Sequence, residues 1–432
     1  MKQKFFLLNL KLSGIKNIEN EISIDFYKKS IGKDFSVDGY NVKAIYGENG
    51  SGKTAIVSAV NLVKLLCLEE DYLSDASNQR YLNEIINKKI QAFSCSFEFV
   101  HLTGDIVESV YSYSLRIEKL TSGKYGISYE NLSKRSRTAT FYSTIYECCD
   151  GELKRIQCSD ESMEVFKIKT ANLLEKSTFL SLSFKLLPLT SDSGVTDDLL
   201  TAFFWSLSIR CYMDASDQHD LYFLSETIRE LRDADEVLND FETYAGVRDR
   251  QVLKPLFGEY ERRVRQLEGF LKLFKTDLVG IEIEKKENVE YYDCSLVMRY
   301  PEYSVDKEFE STGIKKLIDL FDYLNAAAEG AIVFIDEMDA NINDIYLCKL
   351  IEFFMEYGEG QLCFTTHNTS PMSVLRRNKK SIDFLSNDNR VIPWKTNGNY
   401  SPESLYRAGM IEYLPFNVES TDFVGILGGQ DE

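Results

Sequence analysis

The segment Gly47-Glu48-Asn49-Gly50-Ser51-Gly52-Lys53-Thr54 constrains this chain more than any other eight residues. Glycine reaches backbone conformations closed to other residues, so successive N–H groups can turn inward around an anion. Before the segment runs Val42-Lys43-Ala44-Ile45-Tyr46, a short β-favouring stretch. After it, from Ala55 to Leu66, apolar residues recur at helical spacing. Strand, glycine loop and helix, in that order, are the context that the pattern G-x-x-x-x-G-K-[ST] needs to hold phosphate. The helix start adds the positive end of a dipole. In this frame Lys53 reaches the β- and γ-phosphates of ATP, and the Thr54 hydroxyl binds Mg²⁺. A chance glycine loop would lack the strand and the helix.

A second stretch supplies carboxylates. Ala331-Ile332-Val333-Phe334-Ile335-Asp336-Glu337 reads as a parallel strand covered on both faces and ending in two acids. An acid at the carboxyl end of such a strand lies beside the phosphate crevice. Asp336 fits a Mg²⁺-holding role, and Glu337 fits a general base that orients water. The bland alternative is a strand that ends in solvated acids. Upstream, Ser311-Thr312-Gly313 begins a predicted helix through Phe321. Such a helix start leaves N–H groups and a hydroxyl facing outward, which suits a γ-phosphate as well as a simple N-cap. Downstream, Leu362-Cys363-Phe364-Thr365-Thr366-His367 is a short apolar strand ending in a histidine, one helix after the acidic strand.

Composition narrows the class. The chain has 432 residues, 44% of them hydrophobic, so it is globular and large enough for more than one subdomain. Lys+Arg number 50 and Asp+Glu 68, a net charge of −18. That balance gives no indication of DNA binding, which would need a local basic groove; Arg376-Arg377-Asn378-Lys379-Lys380 is a candidate patch, although such a run is usually a solvated face. Nine cysteines, with no C-x-x-C, and three histidines argue against zinc or a disulfide framework, and fit a reducing cytoplasm. The N-terminal apolar residues alternate at once and read as a strand rather than a signal. No long uncharged apolar run predicts a membrane span.

Along the chain, alternation predicts strands over residues 4–46, with a turn at Gly14, and an antiparallel meander over 92–130. From about 160 to 275 the pattern is helical, over Leu221–Leu238 and Val252–Phe274, without the sustained heptads of a long coiled coil. Strands return over 280–310. Tyr400–Gly409 looks like a helix start with Pro402 in its first turn, and Gly425–Gln430 reads as a flexible end.

The order GENGSGKT, then ES-T-G-IKKL, then IVFIDEMD, then TTHN resembles an ABC-type ATPase head. Within that superfamily it is similar to the AAA-type, OLD-like ATPases of prokaryotic anti-phage defence, such as AriA of PARIS, PtuA of Septu and AbiLi-type proteins. The resemblance covers about residues 1–130 and 280–370. It implies an α/β head, with a mixed core sheet, an antiparallel β-layer and a helical insertion. It implies a head-to-head dimer with ATP between residues 47–54 of one copy and the Ser-x-Gly motif of the other. Lys53, Thr54, Asp336 and Glu337 would then act in cis, and Ser311 and Gly313 in trans. Asp339 matches the loop that communicates across the dimer, and His367 the switch residue that meets the γ-phosphate. The chain departs from the pattern where Asp339-Ala340-Asn341 replaces a frequent His-Pro, and no glutamine matches the Q-loop, since Gln91 precedes a strand.

The expected division is 1–135 for the N-terminal lobe, 136–279 for a mainly helical insertion, 280–375 for the C-terminal lobe and 376–432 for a tail. The expected function is an ATPase that assembles into a dimer or larger ring and controls a toxin or nuclease partner when a phage protein is sensed. The alternative is a RecF- or SMC-like ATPase that clamps DNA. After His367 the remaining chain is too short for a nuclease domain of ordinary size, so any nuclease is expected on a partner.

Overall fold

The strand Val42–Gly47, which carries the glycine loop at its end, lies inside a six-stranded sheet. The structure, a computed structural model, describes residues 3–28, 31, 35–186, 193–213, 246–248, 250–395 and 400–411. The strand order is Val391–Pro393, Ile382–Leu385, Val42–Gly47, Gln361–Thr365, Ile332–Ile335, Ile209–Tyr212. The last five run parallel, and Val391–Pro393 is an antiparallel edge. All four residues of Ile332–Ile335 are buried, which is what an unbroken apolar run requires of a strand covered on both faces.

Seven strands form a second, antiparallel sheet, in the order Ile22–Asp25, Gln3–Ser13, Ala92–Thr103, Ile106–Lys119, Tyr125–Arg135, Ser143–Cys149, Glu152–Ile156. Their alternating apolar residues turn one face inward. Between the two sheets lies the helix Lys53–Leu68, of whose 16 residues only Thr54 is not buried. A helix that is apolar nearly all round has to sit in such an interior. Trp205, from the helix Ser193–Ser208, closes the layer by stacking on Phe99 with ring centroids 4.3 Å apart. Such a pair adds about 1 kcal/mol to the burial of the rings.

One side chain stitches the two sheets. Gln361, 2% exposed, accepts from the Leu7 N–H at 2.5 Å and donates to the Leu7 carbonyl at 2.9 Å. The amide takes the place of a neighbouring strand at a bulge, where the pairing register shifts between Leu7 and Asn9.

The other face of the core sheet carries the helices Phe257–Lys272, Thr312–Ala328 and Asp344–Tyr357. A small sheet of Gln251–Leu253, Tyr291–Arg299, Gly280–Glu287 and Ser304–Asp306 packs with them.

The α/β class, with a mixed core sheet and an antiparallel layer, is the one expected. The expected segment boundaries fit less well. Within the stretch 136–279, expected to be mainly helical, Ser143–Cys149 and Glu152–Ile156 are the last two strands of the antiparallel sheet, and Ile209–Tyr212 is an edge strand of the core. Residues after 375 were assigned to a tail, yet Ile382–Leu385 pairs directly with the glycine-loop strand. Its Asp383 makes the sequence look exposed. That carboxylate is 1% exposed because Lys43 pairs with it at 2.7 Å. Val252 is strand rather than helix, while Phe257–Lys272 is helical as expected. Leu221–Leu238, His219 and Gly425–Gln430 lie outside the described residues. The helix predicted at Pro402 runs to Arg407, with Ser401 as its N-cap accepting from the Ser404 N–H. Among the described residues no helix is long and apolar enough to cross a membrane.

Candidate functional site

The loop between Gly47 and Lys53 turns on a left-handed residue. Gly52 has φ +107°, and a Cβ there would sit 2.9 Å from Asn17 Oδ1 and Ile18 Cγ1, so both conformation and space demand glycine. Nothing lies within 4 Å of where a Gly50 Cβ would be, and Asn49 and Gly50 are exposed at the tip. Asn17 holds the loop by donating to the Gly50 carbonyl, and Asn387 donates to the Glu48 carboxylate at 2.8 Å. The helix starting at Lys53 has no side-chain cap, so its first N–H groups point at the loop without a partner of that kind.

Lys53 is 6% exposed, and its ammonium donates to the Gly47 carbonyl at 2.8 Å and the Glu48 carbonyl at 2.9 Å. Burial lowers its pKa, and Asp336, Glu337, Asp339 and Glu48 oppose that shift. The lysine therefore sits in the field of these four carboxylates. The Ser51 hydroxyl is buried with no hydrogen-bond partner, as are the Tyr46 hydroxyl and Asp339 Oδ1. The orphan Ser51 hydroxyl is a donor, and with the open glycine tip and the uncapped helix start it fits a phosphate chain.

Asp336 is 8% exposed, and its Oδ1 accepts from the Thr365 hydroxyl. The Glu337 N–H donates to that same hydroxyl at 2.9 Å. Thr365 thus fixes both acids at once. Glu337 has φ +47°, a left-handed conformation that costs a non-glycine residue roughly 1–3 kcal/mol. Its side chain is exposed. One hydroxyl at Thr54 and one carboxylate at Asp336 suit a Mg²⁺ ion, which takes most of its oxygens from water and substrate phosphates.

The His367 imidazole is held below its ordinary pKa by burial and by Lys53, with Asp339, Glu337 and Asp336 pulling the other way. It therefore belongs to the same cluster. Its loop is pinned by Asn368 and Ser370, which donate to the two oxygens of Asp344, each at 2.7 Å. Arg407 donates to the Thr369 hydroxyl at 2.8 Å, and Tyr406 stacks on Phe384 with centroids 5.3 Å apart. The last described helix thus rests on both the histidine loop and the strand beside the glycine loop.

Ser311 and Gly313 are placed differently. Ser311 caps the helix Thr312–Ala328, accepting from the Ile314 N–H at 3.4 Å, and is exposed. A Cβ on Gly313 would sit 2.8 Å from the Asn341 carbonyl, so the glycine lets the helix start abut the loop that carries Asp339. Among the described residues, neither Ser311 nor Gly313 has a hydrogen bond to residues 47–54. One chain thus places Lys53 and His367 in the shared field of Asp336, Glu337 and Asp339, and leaves the Ser311 helix start facing outward.

Three contributors were not singled out from sequence. Thr365 lies two residues before the histidine, Asn17 sits in the turn after Gly14, and Asn387 follows the overlooked strand Ile382–Leu385. Gln91 has φ +53° and closes a turn, its N–H on the Asn87 carbonyl. The basic run is partly neutralised, with Lys380 on Asp25 at 3.0 Å and Arg377 on Glu352 at 3.8 Å.

No family model matches the chain, and no curated protein matches it in sequence. Solved structures do match. The head of an Smc protein bound to the C-terminal winged-helix domain of ScpA shares 14% identity at a TM-score of 0.47, over 92% of this chain and 99% of that one. An Smc head with an extended coiled coil, bound to the C-terminal domain of ScpA, derived from Pyrococcus furiosus, shares 12% at 0.44, over 94% and 99%. The recombination mediator RecF with a bound ATP analogue shares 12% at 0.40, over 91% and 99%. At such values the fold of this chain rests on its own strand order.

Proposed function

We propose that this chain is an ATPase head whose complete site forms between two copies. The observation that carries this reading is the split between the residues around Lys53, which converge within one chain, and the Ser311 helix start, which faces outward. Phe309, 80% exposed, stands next to Ser311 and would be covered by a partner head. In this reading residues 47–54 cradle the phosphates of ATP, with Lys53 exchanging the Gly47 and Glu48 carbonyls for phosphate oxygens. Bound Mg²⁺, held from Thr54 and Asp336, supplies charge neutralisation between the phosphates. Glu337 accepts a proton from water as it attacks the γ-phosphorus, and ADP and phosphate leave. His367 contacts the γ-phosphate in cis, while Ser311 and the N–H of Gly313 contact it from the second copy.

The wider role follows from the resemblance of the motifs to OLD-like defence ATPases. In it, ATP controls assembly of a sensor or scaffold that holds a toxin or nuclease partner and responds to a phage protein. The DNA-clamping alternative has less support, since two of the four cations of the basic run are paired with acids. The purified chain incubated with plasmid and Mg²⁺ is expected to leave it uncut.

The deciding experiment is mass measurement by light scattering with ATP and Mg²⁺. Glu337→Gln should accumulate as dimers or larger rings, and Glu337→Gln combined with Ser311→Arg should stay monomeric while still binding ATP. Loss of the Ser311 cap costs about 1 kcal/mol, too little to unfold a chain of this size. Assembly that survives Ser311→Arg would remove the two-copy site.

A further inference from the structure

A cavity of about 520 Å³ opens where the edge of the antiparallel sheet meets the edge of the core sheet. Its walls include Lys11, Ser23 and Asp25 on one side and Asp383 and Pro393 on the other. No residue of the 47–54 loop and neither Asp336 nor His367 lines it, so it is separate from the proposed ATP site.

Asp383 lies in the wall of this cavity. Its side chain is 2% exposed, and Oδ2 accepts from the Lys43 ammonium at 2.7 Å. Oδ1 is buried and has no hydrogen-bond partner. A carboxylate oxygen left without a donor in the interior loses the hydration it had in the unfolded chain, a cost that native proteins seldom leave standing. The neighbouring Asp25 is already served: it accepts from Lys380 at 3.0 Å and from Asn9 at 2.8 Å. Of the acids that line the cavity, Asp383 is the one with an oxygen that is buried and without a partner among the described residues. Four carboxylates line the cavity (Glu21, Asp25, Glu98, Asp383) against three cationic side chains, and one of the three, Arg135, is committed to Glu98 at 3.0 Å. A cavity of this size holds a small molecule, and the strongest partner for an ionised carboxylate is a cationic N–H donor.

We propose that this cavity binds a small ligand carrying a cationic amino or guanidino group, which donates a hydrogen bond to Asp383 Oδ1. Burial raises the pKa of Asp383 and Lys43 opposes this, so the arriving cation also favours the ionised carboxylate.

The test is calorimetric titration of the full chain with putrescine, agmatine and the uncharged 1,4-butanediol. Putrescine or agmatine should bind, and butanediol should not. Ser23 is exposed, so Ser23→Trp fills the mouth without touching the core and should weaken the cation at least roughly tenfold. Asp383→Asn should weaken it by a similar factor, and ATP titration on the same variants shows whether each remains folded. The proposal is overturned if neither cation binds at millimolar concentration, if butanediol binds as well as they do, or if Ser23→Trp leaves the affinity unchanged. ATP binding is expected to be the same in wild type and Ser23→Trp, so failure here is distinct from failure of the ATPase reading.

Discussion

The Thr365 hydroxyl donates to the Asp336 carboxylate and receives the Glu337 N–H, so a single oxygen holds the side chain of one acid and the backbone of the next. Thr365→Val keeps the shape and removes the hydroxyl. ATP turnover should fall roughly tenfold or more, the equivalent of one lost hydrogen bond to a charged group, while ATP affinity changes much less. Phosphate release beside equilibrium titration reads the two separately. Unchanged turnover would mean that the two acids keep their places without Thr365.

Lys53 now satisfies the carbonyls of Gly47 and Glu48, which keeps its ammonium at the loop. Lys53→Ala removes the cation that phosphate would meet. ATP binding should weaken on the order of a hundredfold, about 3 kcal/mol. Retained affinity in a fluorescence titration would reject the phosphate role of residues 47–54.

The Gln361 amide brackets the Leu7 peptide between the two sheets. Gln361→Leu leaves that buried N–H and carbonyl without partners, costing about 2–5 kcal/mol. Hydrogen exchange at Leu7 and its neighbours should accelerate by at least an order of magnitude. Exchange as slow as in wild type would show that water or a shifted strand replaces the clip.

Protonation of His367 is disfavoured in the fold, since burial and Lys53 both lower its pKa. A group whose folded pKa is depressed binds fewer protons when folded, so its contribution is full above the ordinary histidine value near 6.5 and is lost as pH falls below it. Glu69 works in the opposite direction: burial raises it to about 7, which favours the fold at low pH and is lost as pH rises toward that value. The histidine effect is therefore read as a difference. Stability of wild type minus that of His367→Asn should decline as pH falls from about 7 toward 5. A flat difference would place the imidazole outside the cluster of Lys53, Asp336 and Glu337.

The readable parts of the sequence were those where one local rule acts alone. The glycine loop needed positive φ at Gly50 and Gly52, and the run Ile332–Ile335 needed burial on both faces. Harder parts depended on partners distant in sequence. Asp383 inside a buried strand looks wrong until Lys43 is beside it. Ile209–Tyr212 is four residues long and follows a helix directly, so neither a turn nor a period marks it. Thr365 reads as an ordinary β-branched strand residue, and only the approach of two strands gives its hydroxyl a task. The outward-facing Ser311 hydroxyl was legible from the helix start, while its role in a second copy was implied only by the resemblance.

Asn387 reaches Glu48 across 339 positions, and Asp383 reaches Lys43 across 340. During synthesis the glycine loop therefore leaves the ribosome long before the residues that brace it. At about 5–20 residues per second that interval is roughly 17–70 s. A truncated product lacking the last quarter of the chain would carry an intact GENGSGKT yet miss the strand beside it. Premature termination or proteolysis should thus yield fragments that cannot sequester ATP, and an ATP-gated assembly would exclude unfinished copies of itself.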